Sequence, residues 1–271
     1  MCLFNALIVL FVASSAQAQD SLLPSDGVCE KRYVVAFQDD APGFFVDSNN
    51  KKNGTAYELL MEIIRRLGCR ATEQVTSYLT LRENFLRNKT DIYALTSQDP
   101  EMDKVADFVE MYNFPRSMVV SKKFSSSKDT IADLLKKPKI TVGNVLGGRL
   151  FLQESEINDL TASHRLREFP GPTGVFKALL GGRVQATFSS PAFTNYFITR
   201  LNKMSEFRSI PDKSGKVYSA GFYISKKRLT EAERETIRKV IHEIRADGTL
   251  LRISKKYVNE EDLKYYLPLD K

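Results

Sequence analysis

Four groups of residues in this 271-residue chain could do chemistry. Asp39 and Asp40 stand beside Phe44 and Phe45, so two carboxylates and two rings could hold an amine or a cation. Thr96, Ser97 and Gln98 are short hydrogen-bond donors and acceptors in a row. Gly147-Gly148-Arg149 could bring backbone amides and a guanidinium to an anion, if a helix opens there. Phe188-Ser189-Ser190-Pro191-Ala192-Phe193 offers two hydroxyls and two rings; either serine could also cap the next helix, which is compatible with ligand contact.

Covalent catalysis finds little support. His164 and His242 are the two histidines, one in a polar loop and one within the long C-terminal helix. A Ser-His-Asp triad needs a positioned imidazole. The sequence has no Gly-x-Ser-x-Gly, His-Glu-x-x-His or Cys-x-x-Cys pattern. These residues read as binding groups, and no catalytic residue, metal or cofactor is expected.

The elements that must position them alternate between strand and helix. Arg32–Phe37 reads as a strand, followed by a turn-rich loop to Gly54. Leu59, Leu60, Ile63, Ile64 and Leu67 recur at helical spacing, so Thr55–Leu67 is predicted to be a helix stopped by Gly68. Strands are predicted near Thr72–Thr76 and Asp91–Leu95, with a short helix over Thr80–Arg87 between them. The pattern then recurs. Strands are predicted at Met118–Ser121, Ile140–Gly143 and Val184–Phe188, and helices at Asp129–Leu135, after Gly148, at Phe176–Leu180 and over Ser190–Asn202. A late strand is expected at Tyr223-Ile224. The end is helical from Thr230, where Thr230 and Glu233 form a capping-box pattern. Alternation of this kind predicts an α/β fold with mainly parallel sheets.

The first residues read as a cleaved export signal. Ala6–Val12 is a short apolar run, and Ala16-Gln17-Ala18 supplies the small residues of a cleavage site, giving a signal peptide over 1–18. Cleavage would leave Cys29 and Cys69. Each lies just before a strand of one right-handed βαβ unit, whose strand starts are neighbours, so the pair is expected to form a disulfide. The net charge of +7 is spread among acidic residues without a block of like charges. That argues against nucleic acid and for a solvated basic surface.

In order along the chain, several segments resemble the extracellular solute-binding proteins, family 3, of polar amino-acid ABC transporters. Ala41-Pro42 with its aromatics, then Gly54 before Tyr57-Glu58-Leu59-Leu60, is similar to that family's first loop and helix. Asp99-Pro100-Glu101 through Asp107-Phe108 to Tyr112 resembles its "T-P-E-R … D-F … P-Y" segment. Val142-Gly143 with Gly147-Gly148 resembles its "V-G … G-T" turn, and Asp247-Gly248-Thr249 to Lys256-Tyr257 its tail.

The resemblance implies a two-lobed type II periplasmic-binding fold, each lobe a mainly parallel sheet flanked by helices, hinged at two crossovers. One lobe would comprise 27–114 plus 221–271, the other 115–220. It implies a periplasmic monomer that takes a small molecule into its cleft and meets an ABC permease or a membrane receptor. Some enzymes of dehydratase type share the fold. Implied ligand contacts are Asp39, Asp40, Phe44, Thr96, Ser97, Gln98, Gly148, Arg149, Ser189 and Ser190. The sequence departs from the family where Met102 takes the place of its carboxylate-gripping Arg, and where serines replace its amine-binding Asp.

Overall fold

The computed structural model describes residues 29–148 and 151–266; the expected signal segment 1–18 and Arg149 lie outside the described residues. The described residues begin with β1 (Arg32–Gln38), a small hairpin of β2 (Phe45–Val46) and β3 (Lys52–Asn53), and α1 (Thr55–Arg66). It continues through β4 (Arg70–Thr76), α2 (Tyr78–Leu86), β5 (Ile92–Ser97), α3 (Pro100–Asp103) and β6 (Ala106–Pro115). A second unit follows: β7 (Ser117–Ser121), α4 (Ile131–Lys136), β8 (Val142–Val145), α5 (Glu154–Ala162) and β9 (Leu166–Phe169). It is completed by α6 (Pro172–Leu180), β10 (Ala186–Ser189), α7 (Pro191–Thr194) and β11 (Phe207–Pro211). The chain returns through β12 (Val217–Ser225), α8 (Glu231–Ala246) and α9 (Thr249–Ser254).

Two five-stranded sheets result, ordered β4-β1-β5-β12-β6 and β11-β7-β10-β8-β9. In each, two junctions are parallel and two antiparallel, so the sheets are mixed rather than mainly parallel. The antiparallel half comes from the connections between lobes. β6 passes into β7 with only Arg116 between them, and β12 returns beside β6 with Val217 opposite Pro115. A direct strand-to-strand passage reverses direction relative to the βαβ units. β12 also runs across the boundary expected at 220.

The helices bury the faces their sequences mark. Leu59, Leu60, Ile63 and Ile64 of α1 are buried against the first sheet. The Thr230–Glu233 capping box forms at the start of α8: Glu233 N–H donates to Thr230 Oγ1, and Thr230 N–H to the Glu233 carboxylate. Cys29 and Cys69 form a disulfide, with Cα atoms 4.8 Å apart. The register explains it: Arg32 is opposite Arg70 on parallel β1 and β4, so the residues before both strands meet at one sheet edge.

Candidate functional site

The carboxyl ends of β1 and β5 in one sheet and of β8 and β10 in the other face a common cleft, where open α/β sheets place their ligands. A cavity of about 550 Å3 lies there, lined from one lobe by Tyr78, Leu79, Arg82 and Ser97–Glu101, and from the other side by Gly147 and Tyr218. Deeper in, a space of about 60 Å3 is lined by Gln38, Asp40, Tyr93, Thr96 and Phe193.

A β-bulge shapes the β5 wall. Gly221 of β12 is opposite Thr96 and Tyr223 opposite Tyr93, so one residue on β12 spans two on β5. Leu95 takes φ +31° at that point. Bulges bend a strand and re-aim its side chains, and this one presents Thr96 to the smaller space and Ser97 to the larger. Gln98 also lines the larger cavity, and its amide donates to Asp103 at 3.0 Å.

Arg82 is the cation in the cavity wall. Its Nε donates to Asp99 Oδ2 at 2.7 Å, while Asp99 Oδ1 caps α3 by accepting from Glu101 N–H at 2.8 Å. Burial pushes the Asp99 carboxyl up, but Arg82 and the amides of Glu101 and Met102 outweigh it and hold it below its ordinary range. The phenol oxygen of Tyr218 is buried without a hydrogen-bond partner among the described residues, as is that of Tyr93.

Asp40 bridges the lobes. Its Oδ1 accepts Thr173 N–H at 2.8 Å and the Thr173 hydroxyl, at the start of α6. Burial raises its pKa to about 6, against the lowering effect of the Thr173 and Gln38 bonds. The lobes also touch through Phe45 and Tyr196, whose rings lie 5.7 Å apart, and through Asn195 Nδ2, which donates to Tyr257 O at 2.8 Å.

The remaining expected site residues among those described line neither space. Asp39 is exposed. Phe44 is turned into the core, stacked 5.7 Å from Phe37, and the ring beside Asp40 in the cleft is Phe193 of α7. Gly148 is closed in a turn, its carbonyl accepting from Asn144 Nδ2 at 2.8 Å. The helix expected to open there begins at Glu154, where the Glu156 carboxylate accepts from Gln153 N–H at 2.7 Å. Ser190 caps α7, and Ser189 Oγ is engaged by Thr194 at 2.8 Å. Met102 is buried among Phe85, Tyr93 and Tyr223.

Residues 33–260 match the bacterial extracellular solute-binding proteins, family 3. The chain belongs to this family. It is 24% identical over 215 residues to the L-cystine-binding protein TcyA of Bacillus subtilis (strain 168), covering 78% of this chain and 75% of that protein. Among solved structures it is similar to a mutant of ArgBP from T. maritima, with a TM-score of 0.68, 23% identity, and coverage of 83% of this chain and 94% of that one. It is also similar to a histidine kinase sensor domain resembling periplasmic binding proteins, with a TM-score of 0.66, 17% identity, and coverage of 84% and 96%. These likenesses identify the fold as the type II periplasmic-binding fold.

Arg82, Tyr218 and Thr173 carry no signal in the sequence, whereas Phe193 belongs to the turn of two hydroxyls and two rings. The first sits in a short helix with no motif around it. The others enter the cleft only because the second lobe is folded against the first.

Proposed function

We propose that this member of the solute-binding family is exported through its N-terminal signal, captures a small polar solute between lobes 27–114/221–271 and 115–220, and delivers it to an ABC importer. The observation that carries this reading is the cavity of about 550 Å3 walled by both lobes, with the Arg82–Asp99 pair in its wall. An anionic group of the solute would draw Arg82 from Asp99, and an ammonium would meet Asp99 or Asp40. Met102 stands where the family resemblance implies a carboxylate-gripping Arg and is buried in an apolar cluster, so Arg82 is the residue we assign to a carboxylate.

The similarity to a kinase sensor domain keeps a sensory role in view, since closed lobes could present themselves to either membrane partner. The test is native mass spectrometry of freshly purified protein, then a thermal-shift screen of amino acids, cystine and small amines. A true ligand at about 1,000 times its Kd should add roughly 4 kcal/mol of stability. Rapid conversion of the bound compound into product would overturn the binding role, and copurification with a kinase rather than a permease would decide for sensing.

A further inference from the structure

The second lobe holds a concave site at the end away from the cleft. β8 leads to the cleft at its carboxyl end, and Ile140 precedes its amino end. β7 is antiparallel to β10, so its last residues reach that same far end, where Ser121 N–H donates to Gln185 O and Lys122 N–H to Glu206 O. There a cavity of about 520 Å3 is lined by Lys123, Phe124, Ser125, Ser126, Lys137 and Lys139, among others.

The charges are unequally used. Lys137 donates to Asp129 at 2.6 Å, and Asp133 is held by the Thr130 capping box, so the neighbouring acids are engaged. Lys123 and Lys139 are exposed and pair with no acid among the described residues. Phe124 stands at the rim with 37% of its surface exposed. Met204, 41% exposed, follows on the same tip, where its carbonyl accepts from Lys122 Nζ at 2.7 Å. Over the whole lobe, residues 115–220 carry 17 Lys and Arg against 8 Asp and Glu, a net of +9 on a chain whose total is +7.

We propose that this tip is a peripheral docking site for an anionic phospholipid surface. A phosphate headgroup would enter between Lys123 and Lys139 and accept from the Ser126 hydroxyl. Phe124 and Met204 would meet the acyl boundary. Lysines around isolated exposed apolar side chains suit an interface that is negative outside and apolar beneath. The charge imbalance turns this lobe, rather than the other, toward such a surface.

The test uses the mature full chain and sedimentation with vesicles of phosphatidylcholine, with and without phosphatidylglycerol. Binding is expected only to the anionic vesicles, weakening as salt is raised. Each lysine contributes roughly a fivefold factor in partitioning, so K123Q/K139Q should bind about 30-fold more weakly. Phe124→Ser should weaken binding while leaving the salt dependence in place. The proposal is overturned if the chain stays in the supernatant at low salt, or if K123Q/K139Q sediments like the parent. It is also overturned if inorganic phosphate or polyglutamate binds at these lysines while vesicles do not. Circular dichroism of the variants distinguishes lost binding from lost fold.

Discussion

The Asp40 carboxylate of one lobe accepts both the backbone N–H and the hydroxyl of Thr173 on the other. An acid of the chain thus occupies the start of α6, a place that attracts anions. It is also buried there, and the cost of burying its charge exceeds what the bonds return, because its pKa rises to about 6.

The sign of the pH effect follows. A carboxyl whose folded value lies above its unfolded value keeps its proton longer when folded, so folding takes up a proton between about pH 4 and 6. Stability should therefore rise as pH falls through 6 toward 4, by on the order of 2–3 kcal/mol from this group. Asp40→Asn keeps an acceptor for Thr173 and should flatten that part of the profile. Thermal melts of both proteins from pH 7 to 4.5 check it; parallel profiles would count against the assignment.

Arg82 and Asp99 are partly exposed, so their pairing adds at most about 1 kcal/mol to folding. If Arg82 instead grips the solute, Arg82→Gln should lower affinity about 10- to 100-fold while the melting temperature hardly moves. Calorimetry with the best ligand of the screen measures the first, and a melt the second. Equal affinity would remove Arg82 from the site.

Gly147 sits at φ +68°, and a Cβ built there would lie 2.2 Å from Leu79 Cδ2 on the opposite lobe. A side chain here is strained by the left-handed backbone and must displace the end of Leu79 or part the lobes. Gly147→Val should hold the lobes apart, enlarge the radius of gyration seen by X-ray scattering, and weaken binding at least tenfold. An unchanged scattering curve would mean that Leu79 yields instead.

Arg116, the single residue between β6 and β7, is buried and donates to Glu156 at 2.8 Å and to Asp212. Its guanidinium also lies 4.5 Å from the Phe188 ring centre. Arg116→Ala strands two acids and should cost about 3–5 kcal/mol in urea unfolding. A loss below 1 kcal/mol would show that water readily replaces the guanidinium.

Much of the fold was legible because its signals are local. The stripe of Leu59, Leu60, Ile63 and Ile64 fixes a helix face, and Thr230 with Glu233 marks a helix start. The disulfide followed from the order strand, helix, strand. β6 escaped notice because its apolar and polar residues do not alternate regularly and its pairing partner, β12, lies a hundred residues away. The site was legible as loops but not as side chains. Asp40 and Thr96 line the smaller space, while Phe44 turns inward and Phe193 stands beside Asp40. Which of two nearby rings faces the cleft depends on core packing across the fold, and no short segment encodes it.

The Cys29–Cys69 bond sits before the first residues of β1 and β4, at the edge opposite the cleft. It closes a loop of about 40 residues within one lobe and touches neither connection between lobes. The crosslink therefore governs endurance rather than occupancy. A reducing environment would shorten the time the protein survives, by withdrawing about 4 kcal/mol of protection, while the cleft of each surviving molecule keeps its lining.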